Sequence, residues 1–144
     1  MPRYFAYGSN MEAAQMTTRV PEARSLGAGR LPAHRFSCNK IGRDGSAKAN
    51  IEPSDGDEVW GVVFEISDAG LADLDRFEVG YRREQVTVHL RDDATTECDA
   101  YLSDQVSPDL LPTRAYRDRM VRGAQEHELP AICLLALRIL AVGD

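Results

Sequence analysis

Hydrophobic and polar residues alternate along this chain in short blocks with two different periods. Arg3 to Tyr7 (RYFAY) is aromatic and apolar on both faces, the pattern of a strand lying centrally in a sheet. Gly8-Ser9-Asn10 breaks it. Met11 to Arg19 (MEAAQMTTR) then predicts a helix, with Ser9 or Asn10 as N-cap, Glu12 in the first turn and Pro21 as the stop. Arg30 to Asn39 is a weak strand candidate, Gly42 to Gly45 a polar turn, and Ala47 to Ile51 a strand able to pair back. Gly27-Ala28-Gly29 and Pro53-Ser54-Asp55-Gly56 carry loop and turn signals. Glu58 to Ile66 (EVWGVVFEI) is the clearest strand, β-branched and aromatic throughout. Ser67 or Asp68 caps a helix over Ala69 to Glu78, and Gly80 follows it. Tyr81 to Leu90 alternates, with Val86, Val88 and Leu90 on one face, and Thr95 to Leu102 returns across the Asp92-Asp93 turn. Pro112 falls at the first turn of a helix reaching about His127, and Pro130 opens a last helix over Ala131 to Ala141.

Strand, helix, several strands, helix, hairpin and two helices in that order predict an α+β fold. Its sheet is mixed, mainly antiparallel, and curled into a small barrel with flanking helices. The chain has 144 residues, so a single domain spanning 1–144 is expected. Apolar residues make up 43% and charged residues 28%, an ordinary globular balance that excludes a disordered or fibrous chain. The net charge of −6 argues against nucleic acid or an anionic membrane as partner. Of the 17 basic residues, only Lys40 and Lys48 are lysine, a bias with no functional meaning at this level. Cys38, Cys98 and Cys133 are odd in number and far apart, which predicts reduced thiols and a cytoplasmic setting. The N-terminus runs directly into a strand-like run, so no signal peptide is expected, and the longest apolar stretch, Leu129 to Val142, contains Arg138 and is too short for a bilayer. Neither metal nor cofactor is expected, because no ligand spacing, P-loop or dinucleotide fingerprint occurs.

Three places could carry chemistry. The Gly8-Ser9-Asn10 turn, placed after a buried strand, could present backbone N–H groups to a carboxylate or developing oxyanion, although as a pattern alone it describes a plain helix cap better. Glu78 shares a helix face with Leu71 and Leu74, so a carboxylate stands where the apolar stripe would continue. Buried there, its pKa would rise and it could shuttle protons; left in water, it is an ordinary helix-end glutamate. Asp75 flanks the same face as the rival carboxylate. Tyr116 starts a stripe with Met120 and Ala124 that reads as core or as a phenol on a cavity wall.

Taken in order, these pieces match a known pattern. Tyr4-Phe5-Ala6-Tyr7-Gly8-Ser9-Asn10 (YFAYGSN) stands at the start. Gly56 to Val63 (GDEVWGVV) forms the central strand. Leu74-Asp75-Arg76-Phe77-Glu78 fits an LDxxE segment, and Tyr116 with Gly123-Ala124-Gln125-Glu126 and Leu129-Pro130 completes the C-terminal half. In these motifs the chain resembles the γ-glutamylcyclotransferase family, AIG2-like or BtrG-like. The resemblance departs at the loop after Glu78, where Val79, Gly80 and Tyr81 replace a longer, glycine-led loop.

The resemblance implies an enzyme that converts a γ-glutamyl amino acid to 5-oxoproline and the free amino acid without a cofactor. The substrate's own α-amine would attack its γ-carbonyl. Glu78 would be the general acid and base, while Tyr4, Phe5, Ala6, Tyr7, Gly8, Ser9, Asn10 and Tyr116 would bind substrate. A small γ-glutamyl compound is then the expected partner, with the chain a monomer or weak homodimer. The same ring closure on γ-glutamylamines or on a γ-glutamyl-tagged biosynthetic metabolite remains open, as does a binding module that has lost catalysis.

Overall fold

Five strands and four α-helices are present in the computed structural model, which describes residues 1–144. The strands are β1 (Arg3–Ala6), β2 (Arg24–Ile41), β3 (Ala47–Glu65), β4 (Arg82–Leu90) and β5 (Thr95–Leu102). The helices are α1 (Ala13–Arg19), α2 (Asp68–Phe77), α3 (Arg114–Glu126) and α4 (Ala131–Arg138). The strands close into a barrel in the order β1-β3-β2-β4-β5. All neighbours are antiparallel except β1 and β5, which meet in parallel at Tyr4 and Asp99. The expected mixed, mainly antiparallel barrel is therefore the observed one. No helix is long and apolar enough to cross a membrane.

The middle of the barrel is a single long hairpin, where the sequence pattern suggested shorter strands. β2 and β3 stay paired from Arg24–Glu65 to Ile41–Ala47. β2 runs through the loop-like Gly27-Ala28-Gly29 because Gly29 is squeezed between Val63 and Val88, where a side chain would not fit. β3 likewise runs through Pro53-Ser54-Asp55-Gly56. Turn chemistry is present there: Ser54 bonds Asp57 at 2.5 Å and Gly56 has φ +84°. Yet Pro53 pairs with His34 and Glu58 with Pro32, so the segment bulges opposite Ala33 and the strand then continues on the same partner.

The first helix also differs from its pattern. Ser9–Met11 form a 3₁₀ turn, Glu12 is extended (φ −71°, ψ 122°), and α1 starts only at Ala13. Neither Ser9 nor Asn10 caps it. The break arises because Glu12 is buried against α3, where its carboxylate pairs with Arg119 (3.1 Å) and Arg122 (2.7 Å). At α3, Thr113 is the cap, accepting the Tyr116 N–H at 3.1 Å, so Pro112 lies just outside the first turn. α4 ends at Arg138, short of Ala141, and the tail returns to α3 through Gly143 N–H to Pro112 (2.9 Å).

Phe5, Met16, Val62, Val63, Leu74, Val88 and Met120 fill the core and expose essentially nothing. Met120 comes from the α3 face on which Gly123 and Ala124 also lie, and this face presses on the 3₁₀ turn. A Cβ at Gly123 would approach the Met11 carbonyl carbon at 2.5 Å and the Glu12 nitrogen at 2.6 Å, both backbone atoms that cannot swing aside. Gly123→Ala is therefore expected to lower stability by about 1–3 kcal/mol, although alanine is the better helix former. A urea midpoint equal to or above that of the parent would contradict this packing.

Candidate active site

β1 ends beside a narrow cleft. All five tyrosines of the chain line it: Tyr4 and Tyr7 from β1 and its end, Tyr81 from just before β4, Tyr101 from β5 and Tyr116 from α3. Gly8, Ser9, Asn10, Ala49 and Glu78 complete the wall. The barrel brings these residues together because β1 is flanked by β3 on one side and β5 on the other, while α3 lies across the turn that follows β1.

Glu78 reaches the cleft as the residue ending α2. Its N–H bonds the Leu74 carbonyl at 2.9 Å, and the Leu71 and Leu74 face beneath it is buried. The chain then turns sharply. Gly80 adopts φ +86°, a conformation other residues avoid. The Val79 carbonyl accepts from Lys40 Nζ (2.7 Å) and the Gly80 carbonyl from Ser103 Oγ (2.7 Å), so the short loop is held at both peptide units. The Glu78 side chain is only 15% exposed.

Asn10 is the hub of the polar contacts. Its Nδ2 donates to Glu78 Oε1 (2.9 Å) and to the Tyr4 hydroxyl (3.0 Å). Its Oδ1 accepts from Gln15 Nε2 (2.9 Å) and Arg19 (3.1 Å), which orients the amide. Gln15 also donates to Ser9 Oγ at 2.7 Å and accepts from Arg119 at 2.7 Å. Three phenols are spent on fixed acceptors: Tyr7 on the Tyr101 carbonyl, Tyr81 on the Ala49 carbonyl and Tyr101 on Asp75. Tyr4 and Tyr116 instead accept, the latter from the Ala49 N–H at 3.0 Å, which leaves their O–H groups able to donate to a bound molecule. The backbone N–H groups of Tyr7 and Gly8 make no hydrogen bond within the chain.

Burial raises the pKa of every one of these tyrosines, so all keep their protons. The Cys38 thiol is pushed up to about 12 by burial and is no nucleophile near neutral pH. Burial also raises Glu78. The Arg19 guanidinium (3.7 Å), the Asn10 hydrogen bond and the Lys40 charge pull it part of the way back. Glu78 is thus the acidic group of the cleft able to exchange a proton under ordinary conditions.

Of the residues singled out in the sequence, Tyr4, Tyr7, Gly8, Ser9, Asn10, Glu78 and Tyr116 share this cleft. Phe5 and Ala6 do not line it. Both are completely buried in the core, and the Phe5 ring lies against Gly61 of β3. Asp75 points elsewhere, accepting from Tyr101 and pairing with Arg83 at 3.0 Å. The suggested helix N-terminus is not part of the site, since α1 begins beyond it; the free amides belong to Tyr7 and Gly8. Tyr81 was visible only as the residue following the shortened loop. Ala49 and Tyr101 carried no signal, because a strand residue beside a cleft looks like any other core-facing residue.

A family model described as "Gamma-glutamyl cyclotransferase, AIG2-like" matches residues 4–119. The chain belongs to this γ-glutamyl cyclotransferase, AIG2-like family. The γ-glutamylcyclotransferases of Bos taurus and Homo sapiens are each 31% identical to it over 136 residues, covering 88% of this chain and 72% of theirs. A solved structure named Gamma-glutamyl cyclotransferase superposes with a TM-score of 0.93 at 27% identity, covering 99% of this chain and 89% of its own. The chain is an enzyme of the γ-glutamylcyclotransferase kind.

For a cyclotransferase of this shape Gly8 is a steric requirement. A Cβ there would meet the Ala49 Cβ at 2.9 Å and the Tyr116 hydroxyl at 3.3 Å, and a branched side chain would enter the cleft. Gly8→Val is expected to stay folded by circular dichroism and lose cyclotransferase turnover by about 100-fold or more. Near-parental turnover in soluble Gly8→Val would show that substrate does not lie against this backbone.

Proposed function

We propose that residues 1–144, acting as one domain, cyclise γ-glutamyl amino acids to 5-oxoproline and release the amino acid. The observation that carries this reading is the Glu78 carboxylate, pressed into a cleft whose other acidic groups are all phenols that keep their protons. Three unpaired thiols, at Cys38, Cys98 and Cys133, fit a reducing, cytoplasmic setting.

In this reading the γ-glutamyl chain folds back within the tyrosine walls, bringing its α-amine to its own γ-carbonyl carbon. Holding that conformation can supply about 7–11 kcal/mol of the barrier when alignment is ideal. The nucleophile belongs to the substrate, so the protein needs none. Glu78 takes the proton released by the α-amine as the new C–N bond forms. It returns the proton to the departing nitrogen as the old C–N bond breaks, ending the cycle in the form in which it began. The Tyr7 and Gly8 N–H groups donate to an anionic oxygen of the bound molecule, either its carboxylate or the oxyanion formed at the γ-carbon. The Tyr4 and Tyr116 hydroxyls, both on the cleft wall, donate to the bound molecule as well.

Glu78→Gln keeps the shape and an acceptor for Asn10 but cannot carry a proton. It is expected to lower kcat by about 10²–10⁴-fold without lowering Tm, because a neutral amide escapes the desolvation cost of a carboxylate. Parental 5-oxoproline release by Glu78→Gln would remove Glu78 from the reaction.

The pH profile follows with a definite sign. Glu78 must be ionised to accept the first proton, so kcat/KM rises with pH on an acid limb above the ordinary carboxylate value of 4.5. Arg19 lowers the Glu78 pKa, so Arg19→Met moves this limb to higher pH. A limb that stays in place or moves down in Arg19→Met would contradict the assignment. The folded pKa lies above the unfolded one. Ionisation of Glu78 therefore costs stability as pH rises from its unfolded value through its folded value.

A further inference from the structure

Beside Glu78 the tyrosine-lined cleft adjoins a wider vestibule of about 250 Å³, and Glu78 belongs to both linings. Five cations surround this vestibule, Arg19, Lys40, Arg43, Lys48 and Arg119, while Glu78 is its single acid. Both lysines of the chain are among them, in a protein whose net charge is −6. The bias among the basic residues thus has a spatial counterpart.

These cations are not equally satisfied. Arg19 lies 3.7 Å from Glu78, Arg119 pairs with Glu12 at 3.1 Å and Lys48 with the exposed Asp44 at 3.3 Å. Lys40 and Arg43 have no carboxylate partner. Lys40 is only 5% exposed, and its ammonium has one hydrogen-bond acceptor, the Val79 carbonyl. Glu78 is the nearby opposite charge but lies beyond ion-pair distance, so the burial cost of the ammonium is only partly offset. Both lysines also rest on walls of the inner cleft: Lys40 Nζ is 4.8 Å from the centre of the Tyr81 ring and Lys48 Nζ 4.6 Å from that of Tyr116. The ammonium groups are therefore held at the boundary between the two spaces.

The next step rests on the cyclisation reading. If Glu78 passes a proton from the α-amine to the departing nitrogen, the bond that breaks lies beside Glu78, and the leaving amine projects into the vestibule. We propose that the vestibule is a subsite for negative charge on the leaving amine, with Lys40, Arg43 and Lys48 binding its carboxylates. The favoured substrates are then γ-glutamyl compounds of acidic amino acids, and γ-glutamylamines without a carboxylate are disfavoured. A carboxylate arriving here supplies the direct ion pair that Lys40 and Arg43 lack, and its charge-assisted hydrogen bonds are stronger than neutral ones.

The test measures 5-oxoproline release by the full chain from γ-glutamyl-glutamate, γ-glutamyl-alanine and γ-glutamyl-ethylamine. The expected order of kcat/KM is the order in which they are named, with the spread between first and last reduced by added salt. Arg43 is exposed, so its replacement leaves the core intact. Arg43→Glu is expected to lower kcat/KM for γ-glutamyl-glutamate about tenfold more than for γ-glutamyl-ethylamine. Lys48→Gln shifts the ratio the same way, and Arg43→Lys retains the parental ratio. The subsite is overturned if γ-glutamyl-ethylamine is turned over as well as γ-glutamyl-glutamate, or if neither Arg43→Glu nor Lys48→Gln changes their ratio. Absence of 5-oxoproline from all three substrates would instead refute the cyclisation reading, and the subsite with it.

Discussion

The site depends on keeping one carboxylate nearly dry without locking it into a full ion pair. Glu78 loses hydration where α2 ends, which disfavours its ionised form. One hydrogen bond from Asn10 and a loose approach by Arg19 return part of that cost. Because the compensation is incomplete, the carboxyl stays above its ordinary pKa and still titrates. A tight bidentate arginine would have made the same residue a static ion pair. Asp75, one turn earlier, shows the contrast: partly exposed, it is held by Tyr101 and Arg83 and has no open side toward the cleft.

The rest of the fold serves to hold the two ends of that contact together. Asn10 and Glu78 lie in different parts of the chain, and Gln15 and Arg19 of α1 hold the Asn10 oxygen so that its nitrogen faces Glu78. α1 is in turn placed by the 3₁₀ turn, against which α3 packs through Gly123, and by Glu12 reaching Arg119 and Arg122. Across the cleft, the fully buried Asn50 imitates a strand. Its side-chain amide exchanges both hydrogen bonds with the Ser103 backbone (2.9 and 3.0 Å), and Ser103 then holds the Gly80 carbonyl. A continuous polar chain thus runs from the barrel wall to the loop after Glu78.

In the proposed reaction the protein contributes confinement and proton transfer, with the attacking group coming from the substrate. The chemistry of the wall suits that division. Phenols that keep their protons can orient a substrate without competing as bases, and the half-buried Cys38 thiol, held up to about 12, is no nucleophile near neutral pH. The charged vestibule adjoins the cleft and shares Ser9, Glu78, Tyr81 and Tyr116 with it, so in the proposed reaction recognition of the γ-glutamyl unit and of the leaving amine would meet at Glu78.

Local chemistry along the chain determined a good deal. The aromatic run before Gly8, the β-branched run of β3, the alternation of β4 and the caps at Ser67 and Pro130 mark elements whose backbone preferences agree with the fold. The position of Glu78 on an otherwise apolar helix face also marked it as unusual. Other features were settled only by long-range pairing. Pro53 to Gly56 has turn chemistry, but strand pairing resumes on both sides of it, so it became a bulge. The helix expected from Met11 starts late because Glu12 is drawn toward α3, more than a hundred residues away. Phe5 and Tyr7 share one strand motif, yet the first fills the core and the second lines the cleft. Tyr101, Ala49 and the two lysines gained their places because the closed barrel brings distant segments to one end. Short-range preferences decide which element forms. Only pairing and packing between segments decide which side chains meet, because those contacts depend on partners that no local window contains.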